Sequence, residues 1–129
     1  MQAYAEGFAL FDGCEYELDN TKIAHLWMQG SVVRSWLCEL AARAFEMEGN
    51  DLARLEPWVE DSGEGRWTVE AGIENAVPTP AITAALYARF TSRQDDSPAM
   101  KAIAAMRNQF GGHATRTSAP PGGDAPSGG

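Results

Sequence analysis

Five cationic side chains able to hold an anion fall close together late in the chain: Arg89, Arg93, Lys101, Arg107 and His113. Arginine presents a planar fork of donors that matches phosphate oxygens. His113 follows Gly111-Gly112 and so stands on pliable backbone, not on a core face. Phosphate recognition is one chemistry these residues offer. The other reading is a solvated basic face whose arginines complement the C-terminal end of a helix dipole. The charge distribution brings an anion to this end: residues 1–74 carry fifteen acids and five bases, residues 75–129 three acids and five bases. The net charge of −8 argues against general affinity for nucleic acid or an anionic membrane.

The chain carries no catalytic engine of its own. No GxGxxG follows a strand pattern, and no GxxxxGK[ST], HExxH or GxSxG is present. Two histidines, His25 and His113, are too few for most metal sites, and His25 lies within an apolar helix as a packed or rim residue. The adjacent acids Glu60/Asp61 and Asp95/Asp96 flank loops and read as solvated carboxylates, not as an acid–base pair. Gly63-Glu64-Gly65 is either an anion-accepting helix start or a simple turn. Cys14 and Cys38 stand in no CxxC or CxxH context, which points to a reducing, cytoplasmic compartment.

The elements that must position these groups are helical throughout. Tyr4, Phe8 and Phe11 share one face of a first helix over Met1–Phe11, with no Ser, Thr, Asp or Asn before it as a cap. That uncapped start reads as a helix cut in the middle, so the chain is expected to be part of a longer protein. Asn20 or Thr21 caps a short helix that Gly30 ends. Ser31 caps a longer one whose Val32/Val33, Trp36/Leu37, Leu40/Ala41 and Ala44/Phe45 repeat every four residues. Asp51 caps a short turn before Pro57. Trp67 and Thr68 open a helix to about Asn75 that Pro78 cannot continue. Thr79-Pro80 and Ser97-Pro98 each set a hydroxyl at an N-cap and proline at the first helical position. The last helix stops at Gly111-Gly112 in a left-handed cap. The expectation is an all-α domain of about six helices over residues 1–113, followed by a disordered Gly/Pro/Ser-rich tail over 114–129. No apolar run approaches the roughly 18 residues of a membrane span, and the first ten residues lack the basic stretch of a secretory leader.

Five segments, in order, carry a family resemblance. Trp27-Met28-Gln29-Gly30-Ser31-Val32-Val33-Arg34-Ser35-Trp36 resembles the W-x-x-G-x-x-x-R-S segment of 6-phosphogluconate dehydrogenases. Asp61-Ser62-Gly63-Glu64-Gly65-Arg66-Trp67-Thr68 resembles their D-S-x-x-G-[KR]-W-T loop. Val77-Pro78-x-Pro80, Ala88-Arg89-Phe90-x-Ser92 and Arg107-Asn108-Gln109-Phe110-Gly111-Gly112-His113 resemble the next three motifs. The likeness runs from Met1 to about Thr115 and is nearest to the shorter bacterial members.

The resemblance implies a decarboxylating dehydrogenase of the pentose phosphate pathway that uses NAD or NADP. Such an enzyme oxidises C3 of 6-phosphogluconate, and the keto acid loses CO₂ to give ribulose 5-phosphate. It implies that this chain is the helical C-terminal domain, which completes the substrate site and builds a homodimer or higher oligomer. The Rossmann domain, the catalytic lysine and the acid glutamate would lie upstream, so the chain alone is expected to bind no nucleotide and to be inactive. By position, Arg89 matches the arginine that reaches the substrate phosphate from its own subunit. Arg107 and His113 match residues that close the phosphate site of a neighbour. Ser62 and Glu64 replace the lysine and threonine of longer members, which makes them candidates for an altered substrate loop. Arg66 and Trp67 read as structural, as does Arg34, taken to anchor one helix to another. Association is expected through apolar surface around Phe8, Phe11 and the Trp36 stripe. Two other readings stand beside this one: a free-standing helical oligomerisation or phosphate-binding module without catalysis, and a related β-hydroxyacid dehydrogenase domain. The cationic trio speaks against the latter, since a non-phosphorylated acid would not need it.

Overall fold

The structure, a computed structural model, describes residues 1–112 and 114–117. It forms six helices, and no strand occurs among the described residues. Helices α1 (Gln2–Asp12), α2 (Asn20–Met28), α3 (Trp36–Glu48), α4 (Glu64–Glu74) and α5 (Pro80–Ser92) belong to one compact unit, Met1–Arg93. Helix α6 (Pro98–Gly111) belongs to a second, Gln94–Gly129.

In the first unit, the spacing of Tyr4, Phe8 and Phe11 lays one face of α1 against α2 and α3. Phe8, Ala24, Ala42 and Phe45 form the core, with Trp27, Ile23 and Leu52 packed on it. Phe8 meets Phe45 edge-on at 4.7 Å between ring centres and lies 5.3 Å from Trp27. Alanines at 24 and 42 let α2 and α3 approach closely, and Cys38, fully buried, donates its thiol to the Ala24 carbonyl at 3.5 Å. Burial first, then the Glu39 charge, pushes that thiol upward from its ordinary pKa, so it acts as a small apolar residue. Cys14 is an exposed free thiol. His25 sits on the rim, with Nε2 2.6 Å from Glu46 Oε1.

Helix boundaries depart from the expectation in three places. Asp19, not Asn20 or Thr21, caps α2 by accepting from the Lys22 amide at 2.9 Å. Helix α3 starts at Trp36 under a Ser35 cap, not at Ser31. Ser31 instead takes the Val33 amide at 3.1 Å, while the Tyr4 hydroxyl of α1 donates to the Val33 carbonyl. That bond joins α1 to the segment before α3 across 29 residues of sequence. Helix α4 begins three residues early, at Glu64, because Gly63 adopts φ +104° and turns the chain without a side-chain cap. Its other end is a left-handed cap: the Ala76 amide bonds the Ile73 carbonyl and the Val77 amide bonds that of Gly72. Ala76 has φ +54°.

Phe8 lies in the core at 9% exposure, contrary to the expectation of an exposed residue, whereas Trp36 is 72% exposed. Arg34 is exposed and makes no side-chain hydrogen bond or ion pair among the described residues, so the anchoring of helix to helix expected of it has no polar contact behind it. In the second unit, the Ser97 hydroxyl accepts from Met100 N at 3.4 Å and Gly112, at φ +64°, ends α6. Residues 114–117 form neither helix nor strand, and His113 and the tail from 118 lie outside the described residues.

Candidate functional site

Arg89 occupies the last turn of α5, half-buried, with Nη1 donating to the Ala85 carbonyl one turn back at 3.0 Å. No carboxylate pairs with it among the described residues, so the outer edge of the guanidinium is uncommitted. The turn that carries it is tied down by the segment before α4. Ser92 Oγ donates to the Arg89 carbonyl at 2.8 Å and accepts from the Val59 amide at 3.0 Å. Two residues further, Asp61 Oδ1 meets Arg93 Nη2 at 2.8 Å.

Asp61 is thus no solvated carboxylate; its side chain is 7% exposed, against the expectation for the Glu60/Asp61 pair. Arg66 donates to it through both Nε and Nη2, the latter at 3.1 Å, so one acid serves two guanidiniums. Arg66 first, then Arg93, holds the Asp61 carboxyl below the ordinary aspartate range, against the opposing effect of burial. Both guanidiniums lie over the Phe90 ring, 4.5 Å and 5.4 Å from its centre. Arg66 is structural, as expected, and Arg93 is committed to Asp61 in the same way. Of the two arginines at this end of α5, only Arg89 remains for a ligand.

Ser62 and Glu64 come together at the start of α4, where the Ser62 hydroxyl donates to the Glu64 carboxylate. That bond, then the backbone amide of Glu64 itself, holds the Glu64 carboxyl below its ordinary range. The loop therefore presents an ionised acid at neutral pH. Trp67 is largely exposed and covers Gly63; a Cβ there would stand 3.0 Å from its ring.

Arg107 is exposed on α6 and unpaired among the described residues, while Lys101 pairs with Asp96. Arg89 and Arg107 belong to different compact units, and His113 lies outside the described residues.

The profile of the family described as 6-phosphogluconate dehydrogenase, C-terminal domain, matches residues 1–120. The chain belongs to this family. It is 42% identical over 115 residues to a Bacillus subtilis protein named for 6-phosphogluconate dehydrogenase, YqeC, covering 89% of this chain and 38% of that one. It is also 42% identical over 113 residues to the NAD(+)-dependent, decarboxylating 6-phosphogluconate dehydrogenase of Haloferax volcanii, covering 88% and 38%. A decarboxylating 6-phosphogluconate dehydrogenase of Staphylococcus epidermidis is 28% identical over 121 residues, covering 86% and 26%. The chain spans about 38% of the length of the first two relatives.

The described residues contain no strand, and so no glycine turn from strand to helix of the kind that holds a nicotinamide dinucleotide. Nor do they bring three or more His, Cys, Asp or Glu together as a metal site. No helix among them is long and apolar enough to cross a membrane. From the sequence, Arg93 was one of five candidate anion-holding cations and Asp61 a solvated carboxylate, while Ser92 had no role, although Asp61 and Ser92 lie within the quoted family motifs. Their contacts link positions 59–61 to 89–93, a pairing that helical periodicity cannot reveal.

Proposed function

We propose that this domain supplies the phosphate-binding and subunit-joining part of a decarboxylating dehydrogenase. The enzyme oxidises 6-phosphogluconate at C3 with NAD or NADP and releases CO₂ to give ribulose 5-phosphate. The observation that carries the reading is the 42% identity to a relative bearing that decarboxylating name. Arg89, half-buried and without an acid partner, grips the phosphate from its own subunit. Arg107 and His113 close the phosphate site of a neighbouring subunit. Ser62 and Glu64 give the phosphate no donor, because the carboxylate of Glu64 would repel it.

The phosphate lies at the far end of the substrate from C3, so these contacts bind ground state and transition state alike and act on KM more than on kcat. Residues outside this domain would hold the nicotinamide nucleotide, which would supply the hydride acceptor. Two unpaired thiols, one of them exposed, suit a reducing cytoplasm.

Two experiments test the proposal. The 129-residue chain alone should oxidise no 6-phosphogluconate with either nucleotide; turnover by the purified chain would refute this. In the complete enzyme, an Arg107→Ala subunit mixed with a subunit lacking the catalytic lysine should regain activity, since each sound site would draw on two chains. No recovery would place Arg107 outside the neighbour's site.

A further inference from the structure

We propose that Asp61 and Ser92 are positioning residues for substrate phosphate, acting through Arg89. The inference rests on the reading of Arg89 as a phosphate ligand and adds the residues that hold it in place.

Two independent ties fasten the same helical turn to the segment entering α4. In the first, the Val59 amide donates to Ser92 Oγ at 3.0 Å, and that hydroxyl donates to the Arg89 carbonyl at 2.8 Å. Ser92 thereby caps a carbonyl that the end of α5 leaves without an intrahelical partner. In the second, the Asp61 carboxylate takes Arg93 at 2.8 Å, with Arg66 bonded to the same group. Arg93 is the C-cap of α5, so its guanidinium bond limits fraying of the turn from which Arg89 projects. A last helical turn frays readily when unsupported, and a ligating arginine on such a turn loses affinity to ordering entropy.

The test is a double-mutant cycle in the complete dehydrogenase. Asp61→Asn and Ser92→Ala should each raise KM for 6-phosphogluconate about three- to tenfold with kcat within about twofold, and Asp61→Glu should recover part of the loss. Added to Arg89→Ala, neither change should raise KM further, because the route runs through that side chain. Additive losses in the Arg89→Ala background, or unchanged KM in both single variants while Arg89→Ala still raises it, would overturn the positioning role alone. An unchanged KM in Arg89→Ala would instead remove the phosphate reading beneath it. If Asp61→Asn fails to fold, Ser92→Ala, which removes one hydroxyl from a half-buried site, decides the matter by the same readouts.

Discussion

Because Arg66 and Arg93 hold the Asp61 carboxyl below its ordinary range, their pairing stabilises the folded chain wherever Asp61 is ionised in both states. The native state keeps this proton off more strongly than the unfolded chain does. The contribution is therefore complete above the ordinary aspartate pKa and fades as pH falls through it to the lower native value. Urea midpoints of the chain and of Asp61→Asn should differ most near neutral pH and converge as pH falls below the ordinary aspartate range. A difference that stays constant across that range would contradict the pairing. Sequence placed Asp61 next to Glu60 as one of two solvated acids. What distinguishes them is a pair of guanidiniums, Arg66 five positions downstream and Arg93 32 positions downstream, which close on Asp61 alone. The place of Arg89 near the end of a helix, by contrast, was legible, since Thr79-Pro80 marks where that helix begins.

Helix α4 shows what the elements ask of single residues. Its left-handed cap falls on Ala76 at φ +54°, a conformation that costs an L-residue about 1–2 kcal/mol. Replacement by glycine removes that cost and returns part of it as unfolded-chain entropy. Ala76→Gly should therefore stabilise by about 0.5–1 kcal/mol, raising the melting midpoint by about 2–6 °C. Two residues before the end of the same helix, Gly72 is buried; a Cβ there would stand 3.0 Å from the Val77 carbonyl and 3.1 Å from Thr79 Cγ2. Gly72→Ala should lower stability by about 1–3 kcal/mol, read by the same thermal melt. A Gly72→Ala variant as stable as the parent would mean that the 77–79 segment yields freely. The proline-initiated helices and the glycine stop of α6 were readable because those residues act within one turn. The start of α3 was not, because Ser31 and Ser35 both offer a capping hydroxyl, and Ser35 takes the Cys38 amide while Ser31 takes that of Val33.

At the scale of the whole molecule, few side chains are buried and many large apolar ones are not, Trp36, Trp67 and Ile73 among them. An apolar groove of about 490 Å³ runs beside α1 and α3, lined by Tyr4, Phe8, Leu37, Leu40 and Leu52. Surface of this kind is characteristic of an interface. The chain should be a dimer or larger species by light scattering at micromolar concentration, and a monomer throughout that range would count against association. The family assignment required neither groove nor burial: five motifs in order carried it, while periodicity supplied only the all-helical class. The central claim is that this domain completes a 6-phosphogluconate site through its cationic side chains. Its most direct test is KM for 6-phosphogluconate in the complete dehydrogenase bearing Arg89→Ala, Arg107→Ala or His113→Ala. Loss of one charge-assisted contact to phosphate costs about 1.5–3 kcal/mol, so each variant should raise KM by at least about tenfold with kcat little changed. Unchanged KM in all three would show that these residues form a solvated basic face with no part in holding the substrate.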